Sequence, residues 1–353
     1  MAQPRLTSVI NDYQAAASDL WRTRRLGALP AEARIAVARL RLGVGPEHVL
    51  QYRLLDHDFT RWHYFTEQAD NHEFSLVVNK ETGGRFTSNK HAQNERMRER
   101  GVPHAEEIPV EALPSLGHAE LFVKPFNASH GDGTFTAFAD EPGLAERCRG
   151  KIINRRYRTH PAMGPIGGEY GLMTLRVHTI HTREGALIAA VIAKIMAQPG
   201  IIDNFTMGRN GNLIAYVDVA TGKLGKAYGI RPGNRFLVQQ IDRHPALGTR
   251  FEGFQLPDWP ALLDVAKRCA EAFPELPLIG HDIALTADGP RIIEINTTPG
   301  YELPQITLGR GAREFLPEWL ALSDIDPDRA RRGLAALNKR RGYPMMASPG
   351  RAN

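Results

Sequence analysis

The sequence predicts an α+β protein, because helix-like and strand-like patterns occupy different parts of the chain. Helix-like periodicity predominates before residue 101 and returns at 311–341. Short apolar runs separated by glycine-rich turns fill most of residues 119–296. Helices and strands that are segregated along a chain are typical of α+β architectures. With 353 residues, the chain is long enough for two or three domains.

Three helices are predicted before the strand-rich part of the chain begins. They span residues 6–21, 31–42 and 89–100. Asn89 stands where an N-cap would accept a hydrogen bond from a backbone N–H of the first turn. The aromatic-rich stretch 46–75 fits neither a helical nor a strand period. The N-terminal region is therefore predicted to be mostly helical.

The rest of the chain supplies the predicted sheets and the helices that cover them. Each predicted strand is a short run of β-branched or large apolar residues bounded by turn residues. The predicted strands are 120–124, 134–138, 151–154, 172–182, 187–195, 213–219, 279–285 and 291–296, and the later helices are 258–272, 311–321 and 328–341.

The net charge of +5 and the pI near 9.2 raise the question of a polyanionic partner. The surplus lies at the two ends of the chain. Residues 1–41 and 329–353 carry net charges of +4 and +7, whereas residues 42–328 carry −6. A nucleic-acid-binding surface on the body of the protein is therefore not expected, and the oligomeric state stays open.

Cysteine usage and hydropathy indicate the cellular setting. Cys148 and Cys269 are too far apart for a zinc ribbon, and two cysteines do not make a disulfide framework. No apolar run reaches the roughly 18 residues that a membrane-spanning helix needs. We therefore expect a protein of the reducing cytoplasm without a membrane span.

The most informative stretch is a predicted hairpin that carries carboxylates. Alternate residues of a strand share a face, so Glu294 and Asn296 point one way while Ile293 and Ile295 point into the core. Asp282 lies on the preceding strand, and the turn between the strands decides whether it faces Glu294.

Two registers are possible for this hairpin. A two-residue loop, 288–289, would place Ile295 opposite Asp282. A three-residue loop, 287–289, would place Glu294 opposite Asp282, with the glycine in the left-handed position that such loops use. We predict the three-residue loop.

Two facing carboxylates repel each other unless a cation neutralises them. With the amide oxygen of Asn296, Asp282 and Glu294 would offer the hard oxygen ligands that Mg²⁺ or Mn²⁺ prefers. The alternative interpretation is the exposed polar face of an ordinary hairpin.

A lysine and a glycine-containing loop form a second candidate site. Lys124 ends a predicted strand, and the loop after it contains Ser129, His130, Gly131 and Gly133. Backbone N–H groups of such a loop can approach phosphate oxygens closely, and the ammonium supplies a point charge. A plain hairpin turn is the alternative, because the spacing matches neither a Walker A nor a Rossmann loop.

The order of several motifs is more specific than any one of them. The motifs are SNKH at 88–91, FVKP at 122–125, IINR at 152–155, TLRV at 174–177, IDNF at 202–205, GHDIALTADGP at 280–290 and EIN at 294–296. In this order the chain resembles the ATP-grasp superfamily over residues 85–310, and most closely its sugar-transfer-associated, α-L-glutamate ligase-related group.

The resemblance implies an ATP-grasp fold, in which two α+β subdomains clasp ATP. It implies a small lid subdomain with the glycine loop at 86–155 and a large subdomain with the metal site at 156–325. A helical N-terminal region, 1–85, would precede them. A basic C-terminal helix and tail, 326–353, would follow.

The resemblance also implies residue roles. Lys90 and Lys124 would contact the nucleotide phosphates, and the stretch around Asn154 and Arg155 would bind adenine through its backbone. The loop with Ser129, His130, Gly131 and Gly133 would form a lid over the phosphates. The ligands of Mg²⁺ (or Mn²⁺) would be Asp282, Glu294 and Asn296. Arg176 and Asn204 would act beside Lys124 as catalytic residues that contact the γ-phosphate or the acceptor carboxylate.

The implied activity is an ATP-dependent carboxylate–amine ligase. Such an enzyme activates a small-molecule or peptide carboxylate as an acyl phosphate, which an amine then attacks, and it releases ADP and phosphate. Two alternatives remain open: a phosphotransferase that stops after phosphorylation, and a nucleotide-binding module without turnover.

Overall fold

The computed structural model describes residues 46–57, 59–83, 89–125, 133–208 and 210–338, together with Ala33 and Phe86. The predicted helices 6–21 and 31–42 lie outside the described residues, Ala33 excepted. So do Ser129, His130 and Gly131 of the glycine loop.

The described chain contains ten strands and eight helices, besides short 3₁₀ turns. The strands are β1 (Glu120–Pro125), β2 (Phe135–Phe138), β3 (Lys151–Arg155), β4 (Thr174–Thr182), β5 (Gly185–Ile195), β6 (Leu213–Val217), β7 (Leu224–Ile230), β8 (Val238–Ile241), β9 (Leu278–Thr286) and β10 (Gly289–Asn296). The helices are α1 (Pro46–Gln51), α2 (Gln68–Gly83), α3 (Lys90–Glu99), α4 (Leu144–Arg147), α5 (Trp259–Glu271), α6 (Glu302–Leu308), α7 (Ala312–Leu322) and α8 (Pro327–Asn338).

The strands form two antiparallel sheets. The small sheet has the order β2-β1-β3, and the large sheet has the order β10-β9-β4-β5-β6-β7-β8. Antiparallel sheets with helices segregated from them confirm the predicted α+β class. All eight predicted strands are present. β7 and β8 were not predicted, nor were the individual helices α1, α2, α4 and α6.

Both faces of the large sheet are covered. An apolar cluster lies on each face. In β5, Val191 and Ala193 belong to one cluster and Ile192 to the other, because successive side chains of a strand point to opposite faces. One cluster includes the apolar face of α5, on which Cys269 is fully buried. The other joins the sheet to α1, α2 and the C-terminal helices.

The described part of the N-terminal region shares this second cluster. Helix α2 packs against α8, and the approach at Gly333 is so close that a Cβ there would lie 2.8 Å from Cγ2 of Val78. The buried side chain of Asn79 bonds to the carbonyls of Leu278 and Thr297, each at 2.6 Å. Helix α2 is thereby fixed to the start of β9 and to the loop after β10.

The β9–β10 hairpin has the predicted pairing but not the predicted turn. Thr286 pairs with Gly289, so the loop has two residues and the three-residue loop was wrong. A β-bulge between Ile292 and Glu294 then shifts the register by one residue and places Glu294 opposite Asp282.

The bulge also changes the direction of one side chain. Ile293 was expected to point into the core, whereas Ile292 and Ile295 are the residues that are buried. Ile293 lines a cleft beside Glu294 instead.

Among the described residues, no helix is both long and apolar enough to cross a membrane.

Candidate active site

A cleft of about 180 Å³ lies between the two sheets. Its polar lining comes from strands of both sheets and from the segments that connect them. The residues with charged or amide side chains that line it are Lys90, Lys124, Asn154, Arg155, Arg156, Lys194, Asp203, Asn204, Asp282 and Glu294.

A row of charged residues crosses three neighbouring strands at this cleft. Arg176 of β4 lies opposite Asp282 of β9, which lies opposite Glu294 of β10. Arg176 donates to both carboxylate oxygens of Asp282, with Nε–Oδ1 at 2.7 Å and Nη2–Oδ2 at 3.2 Å. Lys90, in the first turn of α3, lies with its Nζ 3.0 Å from Oε1 of Glu294. The antiparallel pairing thus aligns Arg176 with two carboxylates, and Lys90 joins them from α3.

The protonation state of this row follows from its charges. Burial alone would raise the pKa of Asp282, but the charges of Arg176 and Lys194 outweigh it and hold that pKa well below its ordinary value. Burial likewise opposes the charge of Arg176, and Asp282 more than compensates, so the pKa of Arg176 is raised. Both groups are therefore ionised at neutral pH.

Lys124 faces the same cleft from the small sheet. Burial lowers its pKa, an effect that the nearby charge of Glu294 partly opposes. Lys90, Lys194 and Arg156 are paired with carboxylates. Among the described residues, no carboxylate lies within ion-pair distance of Lys124, so its positive charge is available to an anion in the cleft.

Asn154 and Arg155 lie at the end of β3. The Asn154 side chain donates to the carbonyls of Ala105 and Glu106, at 3.2 and 2.8 Å, and is buried. It therefore fixes the segment that runs beside β3. Arg155 is exposed at the rim of the cleft.

Other predicted site residues have mixed placements. Asn204 lines the cleft, and its carbonyl accepts hydrogen bonds from Asn210 and Asn212. Asn296 lies opposite Gly280, and its Nδ2 is buried without a hydrogen-bond partner among the described residues. Gly133 has a φ of +71°, which only glycine adopts readily.

Three residues of the site were not predicted. Lys194 of β5 lies with its Nζ 3.4 Å from a carboxylate oxygen of both Asp203 and Asp282. Asp203 also accepts hydrogen bonds of 2.6 Å from the backbone N–H and the hydroxyl of Thr174. The signal that could have found this group is the lone charge of Lys194 in the otherwise apolar run 187–195.

Among the described residues, no three His, Cys, Asp or Glu side chains cluster closely enough to hold a metal ion by themselves. The arrangement can instead hold an anion beside Lys124 and offer one or two carboxylates to a cation that the anion also contacts.

The structure is similar to several solved ligase structures at low sequence identity. An L-amino acid ligase from Bacillus licheniformis is 14% identical, with a TM-score of 0.36, over 61% of this chain and 41% of that chain. D-alanine–D-alanine ligase from Bacillus anthracis, solved with ATP, is 13% identical, with a TM-score of 0.38, over 71% of this chain and 69% of that one.

An N5-carboxyaminoimidazole synthase from Aspergillus clavatus, solved with ADP, is 15% identical, with a TM-score of 0.34. That match covers 63% of this chain and 46% of the synthase, so this chain spans less than half of the synthase and of the L-amino acid ligase.

Comparison with curated proteins gives no significant match. The sequence does match a family described as sugar-transfer associated ATP-grasp, over residues 142–318. The matched region is half of the chain and holds β4 to β10, with Arg176, Asp282 and Glu294. The chain belongs to the sugar-transfer associated ATP-grasp family.

Proposed function

We propose that this protein is an ATP-dependent carboxylate–amine ligase that works through an acyl phosphate and releases ADP and phosphate. The observation that carries the proposal is that Asp282, paired with Arg176, lines the cleft together with Glu294 and Lys124. It combines cations suited to phosphate and carboxylate oxygens with carboxylates suited to a divalent metal ion. Membership of an ATP-grasp family supports ATP as the phosphoryl donor.

In this proposal ATP lies between a lid subdomain, 86–155, and a large subdomain, 156–325. Lys90 and Lys124 hold the phosphates, and the backbone around Asn154 and Arg155 holds adenine. The loop with Ser129, His130, Gly131 and Gly133 covers the phosphates. The apolar side chains of Phe122, Ile201 and Ile293 along the cleft provide the surface that a base needs.

The donor set fits Mg²⁺ or Mn²⁺. Asp282 and Glu294 are carboxylates on adjacent strands, and Asn296, two residues after Glu294 on the same strand, is proposed to add its amide oxygen. Mg²⁺ usually takes one or two protein carboxylates together with substrate phosphates, so it needs no larger cluster. Asp282 and Glu294 would hold the ion, which when bound would offset the negative charge of the phosphates.

The proposed reaction has two steps. First, an oxygen of the substrate carboxylate attacks the γ-phosphorus, and the bond to the β-phosphate oxygen breaks, which releases ADP. Then the amine nitrogen attacks the acyl carbon, phosphate departs, and the nitrogen loses a proton.

The residues of the cleft contribute by orientation and by neutralising charge. Arg176 and Lys124 offset the charge that spreads over the transferred phosphoryl group. The side chain of Asn204, on the cleft wall, donates to an oxygen of that group or of the substrate carboxylate. Closure of the cleft would protect the acyl phosphate from water.

The test is product analysis with a panel of acids and amines. We expect ADP and phosphate to form at a substantial rate only when an acid and an amine are both present. Glu294→Gln should remove this turnover, while Glu252→Gln, an exposed acid of the same chain, should not. Formation of AMP, or no nucleotide turnover across the panel, would contradict the proposal.

The same experiment separates the alternatives. A stable phosphorylated product that accumulates without amine would indicate a phosphotransferase. Calorimetry then measures whether the protein binds Mg²⁺ and ATP. Binding without any turnover would favour the alternative of a nucleotide-binding module. Equal Mg·ATP affinity of the wild type and Glu294→Gln would refute the metal assignment.

A further inference from the structure

Lys194 is a buried lysine in the interior of the large sheet. Its side chain is 3% exposed, and its neighbours along β5, Ala193 and Ile195, are fully buried apolar residues. Moving an ammonium from water into such a place costs several kcal/mol unless it is paired and hydrogen-bonded. The ion pairs of Lys194 therefore determine whether its ammonium can stay charged in this buried position.

Two carboxylates provide this pairing from different parts of the fold. Asp282 belongs to β9, in the floor of the cleft, and Asp203 belongs to the loop after β5. Nζ of Lys194 lies 3.4 Å from each. The other oxygen of Asp203 is held by Thr174, which directly precedes the Leu175–Ala193 pair of β4 and β5, just as Lys194 directly follows Ala193. Asp203 is thus tied to the sheet through both of its oxygens.

Asp203 lies in the middle of a wall of the cleft. We define this wall loop as residues 200–204, all of which line the cleft. The wall loop also accepts hydrogen bonds from side-chain amides of the same connecting segment: Asn210 donates to the carbonyl of Asn204, and Asn212 donates to the carbonyls of Ile202 and Asn204. The N–H of Gly200 donates to the carbonyl of Tyr170. The bonds of Asp203 are therefore side-chain links between the wall loop and the sheet.

The geometry points to Lys194 as a positioning residue that fastens the wall loop to the floor of the cleft. Through Asp203 it sets the position of Asn204, and through Asp282 it sets the position of Arg176. The role in nucleotide binding rests on the proposed function, whereas the mechanical role does not. In this assignment Lys194 contacts neither ATP nor the acid and amine substrates, and it acts through Asp203 and Asp282.

The test compares Lys194→Met, Asp203→Asn and their double variant in the full chain. Lys194→Met keeps the apolar stem of the side chain and removes the charged ammonium, and Asp203→Asn keeps the shape of its partner. Lys226→Met, at an exposed position of β7, is the matched control. Hydrogen exchange of the wall-loop amides is measured without nucleotide, and β6, Leu213–Val217, serves as an internal reference.

We expect each single variant to speed wall-loop exchange about tenfold and to leave β6 unchanged. Since the two residues form one link, the double variant should exchange no faster than either single variant. Lys194→Arg should restore slow exchange, because a guanidinium can still reach both carboxylates. Wall-loop exchange equal to wild type in Lys194→Met, or a further increase in the double variant, would overturn the assignment.

A second measurement connects the link to the site. ATP affinity from calorimetry should fall about tenfold in Asp203→Asn and stay unchanged in Lys226→Met. If Lys194→Met does not fold, Asp203→Asn decides alone, with faster wall-loop exchange required for the assignment to stand. Failure of the proposed ligase activity would leave the exchange result intact, because that measurement contains no substrate.

Discussion

At the scale of single residues, Lys124 combines burial, positive charge and the absence of a carboxylate partner among the described residues. Replacement by methionine keeps the apolar stem and removes the ammonium. A hydrogen bond to a charged group contributes about 1.5–3 kcal/mol, which corresponds to roughly a 10- to 150-fold change in affinity. We expect Lys124→Met to weaken ATP binding by such a factor in calorimetry.

Two comparisons make this prediction specific. Lys151→Met removes a lysine of the same small sheet that does not line the cleft, so its ATP affinity should equal that of the wild type. Because burial lowers the pKa of Lys124, its charge is lost at a lower pH than that of an ordinary lysine. ATP affinity of the wild type should therefore decline on the alkaline side, and Lys124→Arg should remove that decline. An alkaline decline that persists unchanged in Lys124→Arg would show that another group is responsible.

At the scale of elements, the loop after β10 is pressed against β9. A Cβ at Gly280 would lie 2.8 Å from Cβ of Pro299 and 3.4 Å from Cδ of Arg176. Gly280→Ala should therefore displace the loop and destabilise the protein by about 1–3 kcal/mol, the usual cost of overpacking. The free energy of unfolding in urea measures this change.

Gly225 of β7 provides the control for this prediction. A Cβ there meets nothing closer than the carbonyl oxygen of Tyr216 at 3.4 Å. Gly225→Ala should leave stability within about 0.5 kcal/mol of wild type, as for most surface substitutions. If both variants lost the same free energy of unfolding, the loss would come from replacing any glycine in a strand, and not from contact with the loop after β10.

Asn79 is the contact through which α2 holds the β9–β10 hairpin in place. Its amide donates to the carbonyls of Leu278 and Thr297 and accepts from the N–H of Leu278. Asn79→Ala leaves these buried groups without this partner, at about 1–3 kcal/mol for each unsatisfied group. We expect a loss of several kcal/mol in urea unfolding.

An exposed position of the same helix calibrates the loss. His72→Ala lies on the solvent side of α2 and should change stability by less than about 0.5 kcal/mol. If Asn79→Ala behaved like His72→Ala, the described N-terminal helix would not contribute to fixing the hairpin.

How far the elements could be read from the sequence depended on local patterns. Strands with dense β-branched runs, such as β5 and β9, were predicted within a few residues of their bounds. β7 was missed because its two glycines and a lysine interrupt the apolar pattern, and β8 because four residues carry too little signal. The pairing of Glu294 with Asp282 was right for the wrong reason, since a bulge, and not the turn, sets it.

The candidate site shows the same limit at the scale of the whole molecule. The hairpin pattern led to Asp282 and Glu294, and motif order led to Arg176; their pairing follows from an antiparallel sheet. Lys194 and Asp203 were not found, because the contact of Lys194 with Asp282 depends on the strand order β9-β4-β5, and Asp203 joins the group only through Lys194. Side chains from strands about 90 residues apart meet only once the sheet has formed.

The interface between the large sheet and the C-terminal helices contains a buried histidine. His178 of β4 is stacked near the ring of Tyr301, at 5.6 Å between centroids, and near Trp319, at 5.7 Å. Its Nε2 is buried without a hydrogen-bond partner among the described residues. Burial, assisted by the charge of Arg176, lowers its pKa from 6.5 to about 3. The folded protein therefore keeps this ring neutral in mild acid, whereas the unfolded chain protonates it.

This difference predicts acid sensitivity of the whole fold. Between pH 6.5 and about 3 the unfolded state binds the extra proton, so the free energy of unfolding falls as the pH falls, by about 1.4 kcal/mol per unit for this group. From pH 7 to pH 5 the contribution is about 2 kcal/mol. His178→Phe keeps an aromatic ring in the cluster and removes the titration, so urea unfolding should show a loss about 2 kcal/mol smaller than in wild type.

His281 is also buried, and burial lowers its pKa as well. Because His281 is present in both the wild type and His178→Phe, its contribution is the same in the two proteins. The difference between wild type and His178→Phe therefore isolates one ring. If His178→Phe lost as much stability as the wild type between pH 7 and pH 5, the ring would not be held neutral by the sheet–helix interface. That interface joins the sheet, α6 and α7 in one cluster, so a charge placed in it acts on the stability of the molecule as a unit.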